Sequence, residues 1–216
     1  KRKGDLIAPS EIYFTFSFII GDFQMKKAYR QMPEIMFDHF MLRTLQKSDY
    51  RDMFLYGKDP EVVKYLSWGP FTHEKEAKDA IKKIFLPRIR QGLPVGYAII
   101  DVRHSKMIGT IDFHSKIKED NSVEIGYVLN KDYWQQGIMT KALQLMIDIG
   151  FNHLNYDILR IRHLSQNIAS KKVIDKTAFK LISVTPFEVR KKHIVMKDNM
   201  LNYELKKENY HGSQQS

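Results

Sequence analysis

The chain has 216 residues and a mass of 25.5 kDa, a length that fits one domain with short extensions. Hydrophobic residues make up 43% and charged residues 28%, which argues against a wholly disordered chain. The formal net charge of +10 favours anionic partners, without choosing among phosphorylated cofactors, nucleic acids and anionic lipids. Cysteine is absent, which excludes disulfides, thiolate nucleophiles and zinc sites built from cysteine.

The first 36 residues differ from the rest in composition. They contain the apolar stretch Ile12–Phe23, which is shorter than the ~18 residues that a membrane helix needs and is not followed by a small-residue cleavage site. We predict an N-terminal extension over 1–36, of which 1–24 lie outside the folding unit, a domain over 37–206 and a flexible tail over 207–216. We also expect a cytoplasmic protein without a membrane partner.

From Phe37 onward the pattern of apolar residues becomes regular. Ser48 and Asp49 offer an N-cap for one helix and Thr72 for another, and Pro87 disturbs the end of the helix that Thr72 begins. Short polar links between the apolar runs favour antiparallel hairpins and one mixed α/β domain. In chain order we predict a strand over 37–45, helices over 49–56, 61–66 and 73–85, strands over 95–102, 107–114 and 123–129, a helix over 138–151, a strand over 158–163, a helix over 167–177 and a closing hairpin over 180–195 and 200–205.

Several functional motifs do not occur in the sequence. It contains no G-x-x-x-x-G-K-[ST] loop for phosphates, no G-x-S-x-G nucleophile turn and no H-E-x-x-H pair. The eight histidines are scattered, and none pair at metal-ligand spacing on one predicted element. We therefore expect no catalytic metal.

The most informative segment is the strand, loop and helix over 123–151. The loop carries Gly137 directly before the helix, and backbone N–H groups at such a turn, with the helix dipole behind them, can bind phosphate oxygens. A glycine at this position lets the backbone approach an anion closely. Plain turn chemistry is the alternative that the spacing alone leaves open.

The order of residues in this segment resembles a known signature. The run E-I-G-Y-V-L-x-x-x-Y-W-Q-Q-G-I-M-T-K-A is similar to the coenzyme A signature of the GNAT N-acetyltransferases, most of all to the RimJ/RimL-like branch. The runs MLRTLQKSDYRDMFLYGKDPEVVKYL and LRIRHLSQNIASKKVIDKTAF resemble flanking parts of that branch, and together the matches cover about residues 38–206. The resemblance implies a mixed, mostly antiparallel central sheet flanked by helices.

The resemblance also implies acetyl-CoA as co-substrate and direct attack by an amine in a ternary complex. The main chain of the strand end would pair with the pantetheine arm, the N–H groups of the turn would bind the pyrophosphate, and Asn167 with Ser170 would contact the arm. The implied cofactor-binding residues are Tyr127, Val128, Leu129, Gln135, Gln136, Gly137, Ile138, Met139, Thr140, Asn167 and Ser170. Asn167 also fits a plain helix N-cap.

Three candidate catalytic residues follow from the resemblance. Many GNAT members place a tyrosine acid where this chain has Ile174, so Ser170 is the implied donor to the leaving thiolate; a local hydroxyl-to-backbone bond is its structural alternative. Glu124 would relay the amine proton through water, or else serve as a structural ion-pair partner. Glu188 resembles a glutamate of relatives that acetylate ribosomal proteins.

Other departures from the superfamily pattern concern the turn and a later helix. Trp134 and Met139 replace the pattern's polar and small residues, and a bulky Met139 would tighten the pyrophosphate turn. Ala178-Phe179 stands where a Gly-Phe pair usually ends the helix.

The acceptor stays open at this point. The resemblance implies the N-terminal amine of a ribosomal or other protein, or a small amine, and it is compatible with a homodimer. A non-catalytic protein that binds RNA or a ribosome through its basic face is the alternative from another functional class.

Overall fold

The computed structural model describes residues 32–191 and 194–210 and has the predicted mixed architecture. The strands are β1 Ile35–Phe37, β2 Phe40–Thr44, β3 Tyr97–Asp101, β4 Lys106–Ile117, β5 Ser122–Leu129, β6 Ile158–Leu164, β7 Lys180–Lys191 and β8 Ile194–Lys206. The α-helices are α1 Tyr50–Gly57, α2 Glu74–Ala80, α3 Ile138–Asp148 and α4 Ile168–Ile174.

The strands form one eight-stranded sheet in the order β1-β2-β3-β4-β5-β6-β8-β7. All neighbours are antiparallel except β5 and β6, which are parallel because α3 lies between them in the chain. The predicted fold, a mostly antiparallel mixed sheet flanked by helices, is therefore confirmed.

The sheet has a buried apolar cluster on each face. One cluster includes Ile125, Leu143 and Phe151 and lies under α3. The other includes Met53 and Val128 and lies under α1 and α2. Because the core packs against both faces of the sheet, its strands cannot shift independently of one another. The position of any gap between two strands is therefore fixed by the packing of the whole core.

Several predicted elements need correction. The helix predicted over 61–66 is a series of turns, because a short run with adjacent β-branched Val62 and Val63 gains more from burying these side chains than from helical bonds. The predicted strand 37–45 is two strands joined at Asp38, whose φ of +51° an aspartate tolerates. His73 rather than Thr72 is the N-cap of α2. The N–H and the hydroxyl of Thr72 instead both donate to the carboxylate of Glu76.

The helix predicted over 73–85 is regular only to Ala80. A π-helical turn, Ile81–Phe85, and a 3₁₀ helix, Leu86–Gln91, continue it, with Pro87 near the start of the latter. The helix predicted over 138–151 is α-helical to Asp148 and continues as a π-helical turn, Ile149–His153, whereas the helix predicted over 167–177 ends at Ile174.

The predicted segment boundaries also shift. Strand β1 begins at Ile35, inside the predicted extension, and Met32 is already buried in the core. At the other end Tyr210 packs against Phe151, and its hydroxyl donates to Asp148, so residues up to 210 contact the domain. The predictions for 1–24 and for 211–216 fall outside the described residues.

Candidate active site

Strands β5 and β6 pair over three residues only and then separate. The last paired residues are Glu124 of β5 and Arg160 of β6. From there β5 continues to Leu129, whereas β6 stays paired with β8 up to Leu164. The result is a gap in the sheet, in which the second half of β5 has no strand partner among the described residues on the side away from β4.

The hydrogen-bond pattern shows which residues of β5 face this gap. The N–H of Asn130 donates to the carbonyl of Ile108 at 2.7 Å. Because bonded and non-bonded pairs alternate in an antiparallel ladder, Val128 must direct its N–H and C=O toward β4, and Tyr127 and Leu129 must direct theirs into the gap. Of the predicted strand residues, Val128 therefore cannot offer its main chain to a ligand there.

Leu129 offers only part of its main chain. Its carbonyl accepts a hydrogen bond of 2.8 Å from the indole Nε1–H of Trp134. Trp134 thus ties the end of β5 to the following loop. Tyr127 directs both its N–H and its C=O into the gap.

The turn before α3 is open and has the shape of an anion site. Gly137 has a φ of +77° and is the N-cap of α3, with no side-chain cap over the first N–H groups of the helix. Gln135 also has a positive φ, of +61°, and 135–137 are exposed. A Cβ added at Gly137 would meet no atom within 4 Å, so the turn is not filled by the protein's own side chains. These features fit a diphosphate held by the N–H groups of Gln135 to Thr140.

The loop before this turn is anchored on both sides. The Tyr133 hydroxyl donates to the carboxylate of Asp101 at 3.2 Å, and Lys131 forms an ion pair of 2.7 Å with Asp59. Asp101 is fully buried at the end of β3, far from the loop in sequence. Sequence reasoning did not identify it, because nothing in its local pattern points to Tyr133.

The Asp101 carboxylate makes stability depend on pH. Burial alone would raise the pKa of Asp101, but hydrogen bonds from His104, Arg103 and Tyr133 outweigh burial and lower the pKa to about 2. A lowered folded-state pKa stabilises the protein above the ordinary value, and the contribution is lost as the pH falls toward 2. We expect Asp101→Asn to cost about 1 kcal/mol near neutral pH, since two of the donors are exposed. Urea unfolding should show this difference shrinking between about pH 4 and about pH 2; a difference that stayed constant would contradict the assignment.

Helix α4 brings two predicted residues to the far side of the gap. The Asn167 side-chain oxygen accepts the N–H of Ser170 at 3.2 Å, so Asn167 is the N-cap of α4 and its amide NH₂ remains available as a donor. The Ser170 hydroxyl has no hydrogen-bond partner within the part of the chain that the structure describes.

Tyr127 reaches across to the same helix. Its hydroxyl lies 3.4 Å from the Ser170 carbonyl, at the long end of the hydrogen-bond range. Burial raises the pKa of Tyr127 to about 12, and the contact with Ser170 opposes that rise. The phenol therefore stays protonated at neutral pH.

Glu124 stands where the two strands part. Its carboxylate accepts Nε–H of Arg162 from β6 at 2.7 Å, and the same oxygen lies 3.9 Å from Nε2 of His114. The Arg162 contact matches the structural alternative for Glu124, an ion-pair partner. Neither Arg162 nor His114 was identified from the sequence, because their proximity depends on the strand order.

A comparison with known families decides the class of this site. A family model described as the acetyltransferase (GNAT) domain matches residues 39–180, well over half of the chain. The chain belongs to the GNAT acetyltransferase family. An uncharacterized N-acetyltransferase, p20 from Bacillus licheniformis, is 30% identical over 148 residues, which are 68% of this chain and 83% of that protein. The predicted enzyme class is therefore confirmed.

Solved structures show the same GNAT fold. A RimL ribosomal L7/L12 alpha-N-protein acetyltransferase in an apo crystal form superposes with a TM-score of 0.68 at 18% identity, over 82% of this chain and 94% of that one. The spermidine N-acetyltransferase from Vibrio cholerae, solved with CoA and spermine, gives a TM-score of 0.67 at 13% identity, over 79% and 97% of the two chains. At these identities the likeness establishes the fold.

The departures from the GNAT pattern have structural counterparts. The Met139 side chain is buried in the main core, so it does not crowd the turn. Ile174, at the position of the usual tyrosine, is also buried. Glu188 lies on the edge strand β7 opposite Lys197, separated from β5 by β6 and β8.

Two further properties concern the described residues. Among them, no three acidic or histidine side chains come together as ligands for one metal ion. None of their helices combines the length and apolar character required to cross a bilayer.

Proposed function

We propose that this GNAT protein is an acetyl-CoA-dependent N-acetyltransferase of the RimJ/RimL-like branch. The observation that carries the proposal is the unpaired main chain of β5 next to an open, glycine-containing helix N-terminus. A strand-like ligand with a diphosphate at one end fits both features at once. Acetyl-CoA has this form, and its thioester supplies an activated acetyl group.

The residues around the gap have separate tasks in this proposal. The N–H and C=O of Tyr127 pair with the pantetheine amides, and the N–H groups from Gln135 to Thr140 bind the pyrophosphate. The amide NH₂ of Asn167 donates to the same arm. Because no covalent step on the protein is needed, the main task of these residues is to hold both substrates in one orientation. Such positioning is itself a large source of rate acceleration.

The acceptor is an amine that attacks the thioester directly within the ternary complex. A protein N-terminus, such as that of a ribosomal protein, is the first candidate, since structural neighbours carry such names, and a small amine such as spermidine is the second. The net charge of +10 opposes polycations at long range, which favours the protein N-terminus.

Two measurements on the purified protein test the proposal. Calorimetry with acetyl-CoA should give saturable one-site binding. A thiol-release assay with spermidine and with short peptides that have free N-termini should then show turnover that depends on the amine. Steeply salt-dependent RNA binding without acetyl-CoA binding would instead support the RNA-binding alternative.

Ser170→Ala tests the donor to the leaving thiolate. We expect turnover to fall about 100-fold, the lower range for loss of a general acid, with acetyl-CoA affinity nearly unchanged. Steady-state kinetics and calorimetry separate the two effects. Tyr127→Phe is the matched variant, because it removes the other hydroxyl near Ser170. If Tyr127→Phe lowers turnover and Ser170→Ala does not, the role belongs to the phenol.

A further inference from the structure

A cluster of ionisable side chains lies where β5 leaves β6, on the face away from α4. His114 of β4 is directly opposite Glu124 in the sheet register, and Arg162 of β6 contacts the same carboxylate. Alternate residues of a strand share a face, so Glu124 lies on the face of Val128, which packs under α1 and α2. Tyr127 points the opposite way, toward α4. The cluster therefore borders the gap from the side opposite the thiolate donor.

The imidazole of His114 is directed toward the gap. Its Nε2 lies over Gly126, since a Cβ added to Gly126 would come within 2.8 Å of that nitrogen. Its Nδ1 lies 2.9 Å from the hydroxyl of Ser115, which can accept Nδ1–H and leave Nε2 as a base. The side chain is 29% exposed, so a substrate can reach it.

The backbone next to His114 is specialised for this placement. The register between β4 and β5 shifts between His114 and Ile117, and Ser115 has a φ of +52°. A β-bulge of this kind changes the direction of neighbouring side chains and is frequent next to active sites. The glycine at 126 complements it by leaving room for the ring.

Glu124 is less suited to take the proton itself. Its carboxylate is only 14% exposed and is held by the guanidinium of Arg162 at 2.7 Å. A charge-assisted hydrogen bond of this length holds one oxygen of the carboxylate, which is then not free to act on a substrate. The neighbouring imidazole has no such partner on Nε2 within 3.5 Å among the described residues.

We propose that Nε2 of His114 accepts the proton that the acceptor amine loses, with Glu124 and Arg162 as positioning residues. This inference rests on the proposed N-acetyltransferase function. The amine nitrogen forms the bond to the acetyl carbon, and the carbon–sulfur bond breaks with its electron pair on sulfur. One proton passes from nitrogen to His114, the thiolate takes a proton from the Ser170 side or from water, and His114 returns its proton to solvent.

The charges around His114 are balanced. Glu124 faces it from β5 and Arg162 from β6. Two residues earlier on β4, Asp112 is paired with Arg88 from the 3₁₀ helix. The two ion pairs cancel, so protonation of His114 would add one net charge to this side of the gap. A rate that depends on neutral His114 should therefore fall when the imidazole is protonated.

His114→Gln is the first test. With the most active amine of the panel, we expect kcat to fall about 100-fold, acetyl-CoA affinity by calorimetry to stay within twofold, and the acid limb of the kcat/KM profile to disappear. Free imidazole should restore part of the rate. His73→Gln, at an exposed histidine at the start of α2, should leave the rate and the profile unchanged. Loss of the acid limb in Glu124→Gln but not in His114→Gln would overturn the proposal.

A second test needs no acceptor. Bromoacetyl-CoA presents an alkylating carbon where the acetyl group would lie; Nε2 of His114 would form a bond to that carbon as bromide leaves. Peptide mapping by mass spectrometry should find the label on His114 and lose it in His114→Gln. A label on another residue, or none with saturating reagent, would refute the role of His114. Failure of the wild-type protein to bind acetyl-CoA at all would instead refute the proposed function.

Discussion

Gly137→Glu is expected to weaken acetyl-CoA binding by about 100-fold or more, equivalent to at least ~2.7 kcal/mol. A carboxylate at this position would stand in the open space before α3 and repel a diphosphate. It would also compete for the N–H groups of Ile138 and Met139, which the site needs for the ligand. Titration calorimetry measures the affinity, and circular dichroism checks that the fold is retained.

Gly92→Glu is the matched control for this experiment. Gly92 has a φ of +70° and, like Gly137, no atom within 4 Å of an added Cβ, but it ends the 3₁₀ helix rather than beginning α3. Both variants therefore carry the same backbone strain and the same new charge. A similar loss of affinity in both variants would mean that strain or net charge, not the turn, controls binding, and the proposed anion site would be wrong.

The parts of the site that lie close in sequence were predictable. The strand, loop and helix around Gly137 form one local unit, and the glycine directly before an amphipathic helix marks it without tertiary information. Asn167 before α4 was likewise recognisable as a cap, and the structure shows that bond. The strands and hairpins followed from alternation of apolar residues and short polar links, which are also local signals, whereas the arrangement of the sheet was implied by the resemblance to GNAT proteins.

The parts that depend on tertiary register were not predictable. Which groups of β5 face the gap depends on its pairing with β4, so the sequence alone did not show that Val128 directs its main chain toward β4. The contact of Trp134 with the Leu129 carbonyl requires the loop conformation as well as the sequence. His114 and Arg162 are 48 positions apart in the chain and meet at Glu124 only because β4, β5 and β6 are neighbours.

The largest stability effect is expected at the ion pair between Arg88 and Asp112. The two side chains are only 9% and 7% exposed, and Nη1 of Arg88 lies 2.5 Å from the carboxylate. Arg88→Met would leave the Asp112 charge buried and alone, which should lower the free energy of unfolding by about 3–5 kcal/mol. Urea denaturation at neutral pH measures it. Lys83→Met, which breaks the exposed pair with Asp79, should give no measurable change.

The double variant separates desolvation from the worth of the pair. Arg88→Met with Asp112→Leu removes both charges and replaces them with apolar side chains, so stability should return to within about 1–2 kcal/mol of the wild type. Each single variant should be much less stable, which gives a large coupling energy in the cycle. Because Asp112 is on the same face as His114, the double variant also separates stability from catalysis: a folded protein with wild-type acetyl-CoA affinity but altered turnover would show that the pair supports the acceptor side of the gap. Additive single and double effects would show instead that Arg88 and Asp112 stabilise the fold independently of each other.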